Sequence, residues 1–258
     1  MINVLISGIT GPIGKAVYEY AKKEKDVFVA CGVDESVNCE CDCPVYKSFD
    51  EVKEMIDVVI DFSSPEFFGA VYKFVKDNDC SLVEGTTGYT QKNLDELKRL
   101  AENKAIFASR NLSLGTNTLF KLCVAAAKEL KNFDVEIIER YEKNKSGVPG
   151  GTTLSLAKAI QEAIGLNGKI IYGRTSRRKD GEICIHSVRG GGIQGEKEVL
   201  FIGEKETLSI IHRDDDKSLY AETAISVARF IVSRSPGLYS MNDYYNAEKI
   251  EFLLATFL

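Results

Sequence analysis

Gly8, Gly11 and Gly14 recur at three-residue intervals in the run Gly8-Ile9-Thr10-Gly11-Pro12-Ile13-Gly14, directly after the apolar stretch Asn3 to Ser7. A turn of this kind lets an anion approach the backbone N–H groups, and a helix starting there adds the positive end of its dipole. Asp34 closes a second apolar stretch about 20 residues after the last glycine, where a carboxylate can bond a ribose hydroxyl. The seven turn residues and Asp34 together predict a dinucleotide site. Glu35 adds a second negative charge where a 2′-phosphate would sit, so charge favours NADH over NADPH.

Three more turns fall at the ends of short apolar stretches. Phe62 and Ser63 lie in Asp61-Phe62-Ser63-Ser64-Pro65, and Gly85, Thr86 and Thr87 lie in Gly85-Thr86-Thr87-Gly88. Ser109, Arg110, Asn111 and Leu112 end the next stretch. Ligands of open α/β sheets bind at the carboxyl ends of the strands, so these residues are expected on the nicotinamide and ribose side. A different chemistry is offered by Lys145 to Thr152. Pro149 and the glycines Gly150 and Gly151 precede a helix, leaving the N–H groups of Gly151 and Thr152 free to hold an anion. Lys145 adds a point charge suited to carboxylate or phosphate.

The elements that must hold these groups alternate at first. Strands are predicted at Asn3 to Ser7, Val27 to Val33, Val58 to Phe62, Ser81 to Val83 and Ala105 to Ala108, with helices at Lys15 to Lys23, Phe67 to Asp77 and Gln91 to Glu102. That order implies a Rossmann-type parallel sheet covered on both faces. After Asn111 the pattern changes. Helices at Asn117 to Leu130 and Thr152 to Ile164, with strands at Asp134 to Glu139, Ile183 to Val188, Lys197 to Phe201 and Leu208 to His212, predict a mixed, mostly antiparallel sheet in a second, α+β domain. A last helix, Ala221 to Val232, fits either domain by pattern alone.

The 258 residues suit one or two domains, and 44% hydrophobic with 28% charged residues is the composition of an ordinary globule. A net charge of −5, without a basic stripe, gives no support to nucleic-acid binding. No apolar stretch approaches the ~20 residues of a membrane span, and nothing near Met1 resembles a signal peptide, so a cytoplasmic protein is expected. Seven cysteines, an odd number in such a setting, predict free thiols. Cys39, Cys41 and Cys43 lack the paired spacing of structural zinc, and with only His186 and His212 as imidazoles no metal site is expected.

These motifs, in this order, resemble the dihydrodipicolinate reductase family from end to end. The resemblance rests on the Gly8 to Gly14 turn, Asp61-Phe62-Ser63, Gly85-Thr86-Thr87-Gly88-Tyr89, Asn111-Leu112-Ser113-Leu114-Gly115 and the Lys145 to Thr152 loop. His186-Ser187-Val188-Arg189-Gly190-Gly191, Gly195-Glu196 and Pro236-Gly237-Leu238-Tyr239 extend it. It implies a dinucleotide domain at 1–112, rejoined by 221–258, and a substrate-binding and oligomerisation domain at 113–220 that builds a homotetramer. It also implies transfer of a hydride from NADH or NADPH to the cyclic dicarboxylate derived from 4-hydroxy-tetrahydrodipicolinate, in lysine and diaminopimelate synthesis. Gly151 and Thr152 would hold a substrate carboxylate, and Lys145 would be the proton donor.

The chain departs from the family where two adjacent histidines precede that lysine, because Tyr141 and Glu142 stand there. Gly147 and Gly150 replace a family aspartate and serine. Tyr141 is expected as an auxiliary donor of a proton or hydrogen bond. Glu142, if turned inward, would face the substrate: it would repel a dicarboxylate but could bind an ammonium group. Two other functions fit the altered pair: a dehydrogenase or imine reductase acting on another amino or imino acid, and a dinucleotide-binding sensor or scaffold with little catalysis.

Overall fold

The computed structural model describes residues 1–109, 111–216 and 218–247. Two compact units emerge, Ser113–Asp216 being the second and the remainder the first. In chain order the first unit begins with β1 (Ile2–Ser7), α1 (Pro12–Ala21), β2 (Val27–Val33), β3 (Val45–Tyr46), β4 (Val58–Asp61), α2 (Phe68–Asp77), β5 (Ser81–Glu84), α3 (Gln91–Leu100) and β6 (Ala105–Ala108). The second contains α4 (Leu114–Glu129), β7 (Asp134–Tyr141), α5 (Gly151–Ile164), β8 (Ile170–Tyr172), β9 (Ile183–Arg189), β10 (Gly195–Ile202) and β11 (Thr207–Asp214). Then α6 (Ser218–Ile231) and β12 (Gly237–Tyr239) return to the first.

The first unit is a seven-stranded sheet in the order β12-β6-β5-β4-β1-β2-β3, and every pair is parallel. Continuous apolar strands make this possible, because the central strands β1, β4, β5 and β6 are largely buried on both faces. Val4 and Ile6 of β1 face one core with Val17 of α1 and the Ala224, Ile225 and Ala228 side of α6. Leu5 faces the other core, with Val71 and Val75 of α2 and Leu97 and Leu100 of α3. The apolar face of α6 thus has its place on this sheet, and β12 extends the edge beside β6.

The second unit has a five-stranded sheet, β11-β10-β7-β9-β8. Its two pairs flanking β10 are antiparallel, and its two flanking β9 are parallel. The expected mostly antiparallel arrangement is therefore corrected: β8 and β9 both run with β7, which the intervening helix and long loop allow. Helices α4 and α5 cover one face, burying Val135 and Ile137, Ile183 and Ile185, and Val199 and Phe201.

Helix starts differ from the expected ones by a few residues. α1 begins at Pro12, α4 at Leu114 after a Ser113 cap, and α5 at Gly151. Proline at the first helical position loses no hydrogen bond, and glycine caps carry no apolar periodicity, so periodicity places each start late. The expectation of free thiols is also corrected at one place. Cys39 and Cys41 form a disulfide, their alternate positions bringing the Cα atoms to 5.3 Å, while Cys31, Cys43, Cys80, Cys123 and Cys184 are free.

Candidate functional site

The strand order of the first unit reverses beside β1, where the turns after β1 and β4 meet. Gly8 has φ +77°, and a Cβ there would lie 2.6 Å from the Phe62 carbonyl oxygen. A Cβ on Gly14 would lie 2.1 Å from the carbonyl oxygen of Gly8. Only glycine fits either position. Gly11 caps α1, with its N–H bonded to Gly8 (3.0 Å), and no side chain occupies the cap. Pro12 has no N–H, so Ile13 and Gly14 present the unpaired donors of the first turn. Ile9 is buried, packed against Gly32, and Thr10 donates its N–H to Asp34 Oδ2 (3.0 Å). Asp34 also accepts from Ser36 N–H (3.2 Å), and Glu35 is exposed. A carboxylate is thereby fixed beside a glycine turn whose donors are free, a shape and polarity that fit a dinucleotide.

The neighbouring turns are tied to buried acids that sequence reasoning passed over. Asp61 accepts from Ser63 N–H (3.2 Å), the Thr86 hydroxyl (2.9 Å) and the Tyr89 hydroxyl (3.3 Å). Glu84, in register with Asp61 across β4 and β5, accepts from Thr86 N–H (2.8 Å). Burial, reinforced by Asp61, pushes the Glu84 carboxyl well above the usual range. The Thr86 hydroxyl therefore points into the protein, whereas Thr87 is exposed, and the Phe62 ring packs on Gly85. The Ser63 hydroxyl is buried without a partner among the described residues. Ser109 and Asn111 close a local turn (2.8 Å), Leu112 is buried in the core rather than lining the edge, and Arg110 lies outside the described residues.

In the second unit the helix-facing side of every central strand changes from apolar to polar at the same end. Beyond Val135 and Ile137 come Glu139 and Tyr141; beyond Ile185 come Ser187 and Arg189. Lys197 precedes Val199 on β10, and His212 and Asp214 end β11. Register places Glu139 opposite both Ser187 and Lys197, Tyr141 opposite Arg189, and Lys197 opposite His212. Sequence reasoning assigned no role to these partners, although polar residues in phase with the core face were the available signal.

Glu139 organises the helix start. It is fully buried and accepts from Gly150 N–H (2.9 Å), Ser187 Oγ (2.8 Å) and the Arg189 guanidinium (2.7 Å). Burial alone would raise its pKa, but these bonds hold it below the usual carboxylate range. With Gly150 anchored as cap, Leu154 N–H makes the first intrahelical bond, to Gly150 (3.0 Å). The N–H groups of Gly151 and Thr152 stand at the positive end of a 14-residue helix without an intrahelical partner, and no atom blocks Gly151.

Tyr141 lies beside this helix start with three cations about its ring, Arg189 at 5.3 Å, Lys197 at 5.5 Å and Lys145 at 5.7 Å from the centroid. Burial, with Glu139 and Asp214 adding to it, pushes the phenol up to about 12. Tyr141, expected as an auxiliary donor, is thus a poorer acid than free tyrosine. Glu142 bonds within its own loop, its carboxylate accepting from Asn144 N–H (2.6 Å).

Two family models cover nearly the whole chain, dihydrodipicolinate reductase N-terminus over residues 2–112 and dihydrodipicolinate reductase C-terminus over 115–245. The chain belongs to the dihydrodipicolinate reductase family. Within it, the chain is 39% identical over 246 residues to the 4-hydroxy-tetrahydrodipicolinate reductase of Caldanaerobacter subterraneus subsp. tengcongensis, covering 94% of this chain and 98% of that one. It is 35% identical to the reductase of the same name from Alkaliphilus oremlandii, covering 95% and 99%. A dipicolinate-bound dihydrodipicolinate reductase from Paenisporosarcina sp. shares the fold, with a TM-score of 0.77 at 23% identity over 93% of this chain and 97% of that one.

The other face of the second sheet is a field of ion pairs. Glu136 lies within ligand distance of Cys184 and His186, a grouping that could hold a metal. Its Oε1 instead bonds Arg174 and Arg178 (2.6 Å each), and its Oε2 meets His186 Nε2 at 2.7 Å. Two guanidiniums at one carboxylate oppose a further cation there. No helix among the described residues is long and apolar enough to cross a membrane.

Proposed function

We propose that the chain reduces 4-hydroxy-tetrahydrodipicolinate to tetrahydrodipicolinate with a reduced nicotinamide dinucleotide. Replacing a ring hydroxyl by hydride releases hydroxide, so the reaction takes up one proton to form water. The dinucleotide supplies the hydride when it is bound by the Gly8 to Gly14 turn and Asp34. The protein must then hold a dianion and deliver the proton.

Lys145 carries this reading. Arg189 is paired with Glu139 and Lys197 with Asp214, but Lys145 has no carboxylate partner among the described residues. An unpaired ammonium at the Tyr141 ring, which itself lies by the Gly150 cap, can attract one substrate carboxylate while the N–H groups of the helix start hold it. The same ammonium can donate the proton. Asp34 and the exposed Glu35 repel a 2′-phosphate, which favours NADH over NADPH. The helix-free face of the second sheet, with Ile138, Leu200 and Ile211 set among Arg140, Glu196 and Glu198, suits assembly into a homotetramer in the cytoplasm. Sedimentation equilibrium at four chain masses is the check.

The test of function is a coupled assay in which the upstream synthase generates the unstable substrate and cofactor oxidation is followed. Oxidation of NADH with a higher kcat/KM than NADPH is expected. No oxidation of either cofactor contradicts the proposal, and a strong preference for NADPH contradicts the charge argument alone.

A further inference from the structure

Three cations at a common ring need an explanation, because like charges so close repel one another. Lys197 is the extreme case. It is 1% exposed, and its only ion-pair partner among the described residues is Asp214, at a long 3.4 Å. A buried ammonium has three donors to satisfy, and the face of an aromatic ring is the remaining negative surface it can use. Gly195 makes the arrangement sterically possible. A Cβ there would lie 2.6 Å from Asp214 Oδ2 and 3.0 Å from Tyr141 Cε1, so the carboxylate and the ring close on a position without a side chain. Glu139 in turn bonds Arg189, whose guanidinium lies at the same ring.

We propose that Tyr141 is a positioning residue that acts through its ring: the ring gathers Arg189, Lys197 and Lys145 into one array and presents the ammonium of Lys145, the one left unpaired, to a dianionic substrate. The hydroxyl is not the proton donor. Glu139 neutralises Arg189 and Asp214 neutralises Lys197, so the array carries a single net positive charge rather than three. The raised phenol pKa agrees with this, since the group stays protonated throughout the range in which the enzyme would work.

This inference rests on the reductase reading, and two readouts separate them. Turnover is measured in the coupled assay, and dipicolinate is used as a binding probe in calorimetry, for the wild-type protein, Tyr141→Phe and Tyr141→Leu. Melting curves and NADH binding check the fold. Tyr141→Phe is expected to keep both kcat and dipicolinate affinity within about threefold, with an unchanged pH profile, whereas Tyr141→Leu loses about tenfold or more in affinity as the ring contacts vanish. Should Tyr141→Leu not fold, Gly195→Ala, which forces Asp214 and the ring apart, is expected to weaken dipicolinate in the same way.

Equal losses in the phenylalanine and leucine variants would assign the effect to the hydroxyl and overturn the proposal. So would an unaffected leucine variant, or a wild-type protein that does not bind dipicolinate. If the contrast between variants appears in binding but the wild type turns over no 4-hydroxy-tetrahydrodipicolinate, the array stands and the substrate assignment falls.

Discussion

Single residues here take their properties from what surrounds them more than from their type. Glu139 and Glu84 are both buried glutamates, yet Glu139 stays ionised because three donors reach it, while Glu84 is pushed toward its protonated form by burial and by Asp61. Glu84 Oε2 has no partner among the described residues. A carboxyl whose folded pKa lies above its unfolded value of about 4.3 adds stability below that pH and loses it as pH rises toward the folded value. Glu84→Gln cannot ionise and so removes this loss. Its melting temperature should match the wild type near pH 4.5 and exceed it increasingly toward pH 8 in differential scanning calorimetry. A difference that is constant with pH would show that Glu84 does not titrate in this interval.

At the scale of elements, the two glycine-capped helix starts, at α1 and α5, differ in how their caps are fixed. In α1 glycines hold the turn by close backbone contact, and in α5 a buried carboxylate holds Gly150. Adding one methyl at Gly14 forces apart the turn that a dinucleotide needs. Overpacking of this kind costs about 1–3 kcal/mol, so Gly14→Ala should weaken NADH binding about tenfold or more in fluorescence titration. Unchanged affinity would place the cofactor elsewhere.

The α1 turn was legible in the sequence because its glycines, its preceding strand and Asp34 are close together along the chain. The polar end of the second core was not. Glu139, Arg189, Lys197 and Asp214 come from four strands, and only the register brings them together. Short strands such as β3, β8 and β12, of two or three residues, carry too little periodicity to be seen. The disulfide between Cys39 and Cys41 likewise depends on local loop geometry that residue types do not specify.

Across the whole molecule, chemistry is divided between two units, one shaped for a dinucleotide and one with a helix start and an unpaired lysine shaped for a carboxylate. Tyr141 and Glu142 stand where the family has paired histidines, so we assign delivery of the proton to Lys145. Steady-state NADH oxidation in the coupled assay, comparing wild type with Lys145→Ala, tests this most directly. The account predicts a fall in kcat/KM of about 10²–10⁴, with NADH binding unchanged. A Lys145→Ala enzyme as active as the wild type would contradict it.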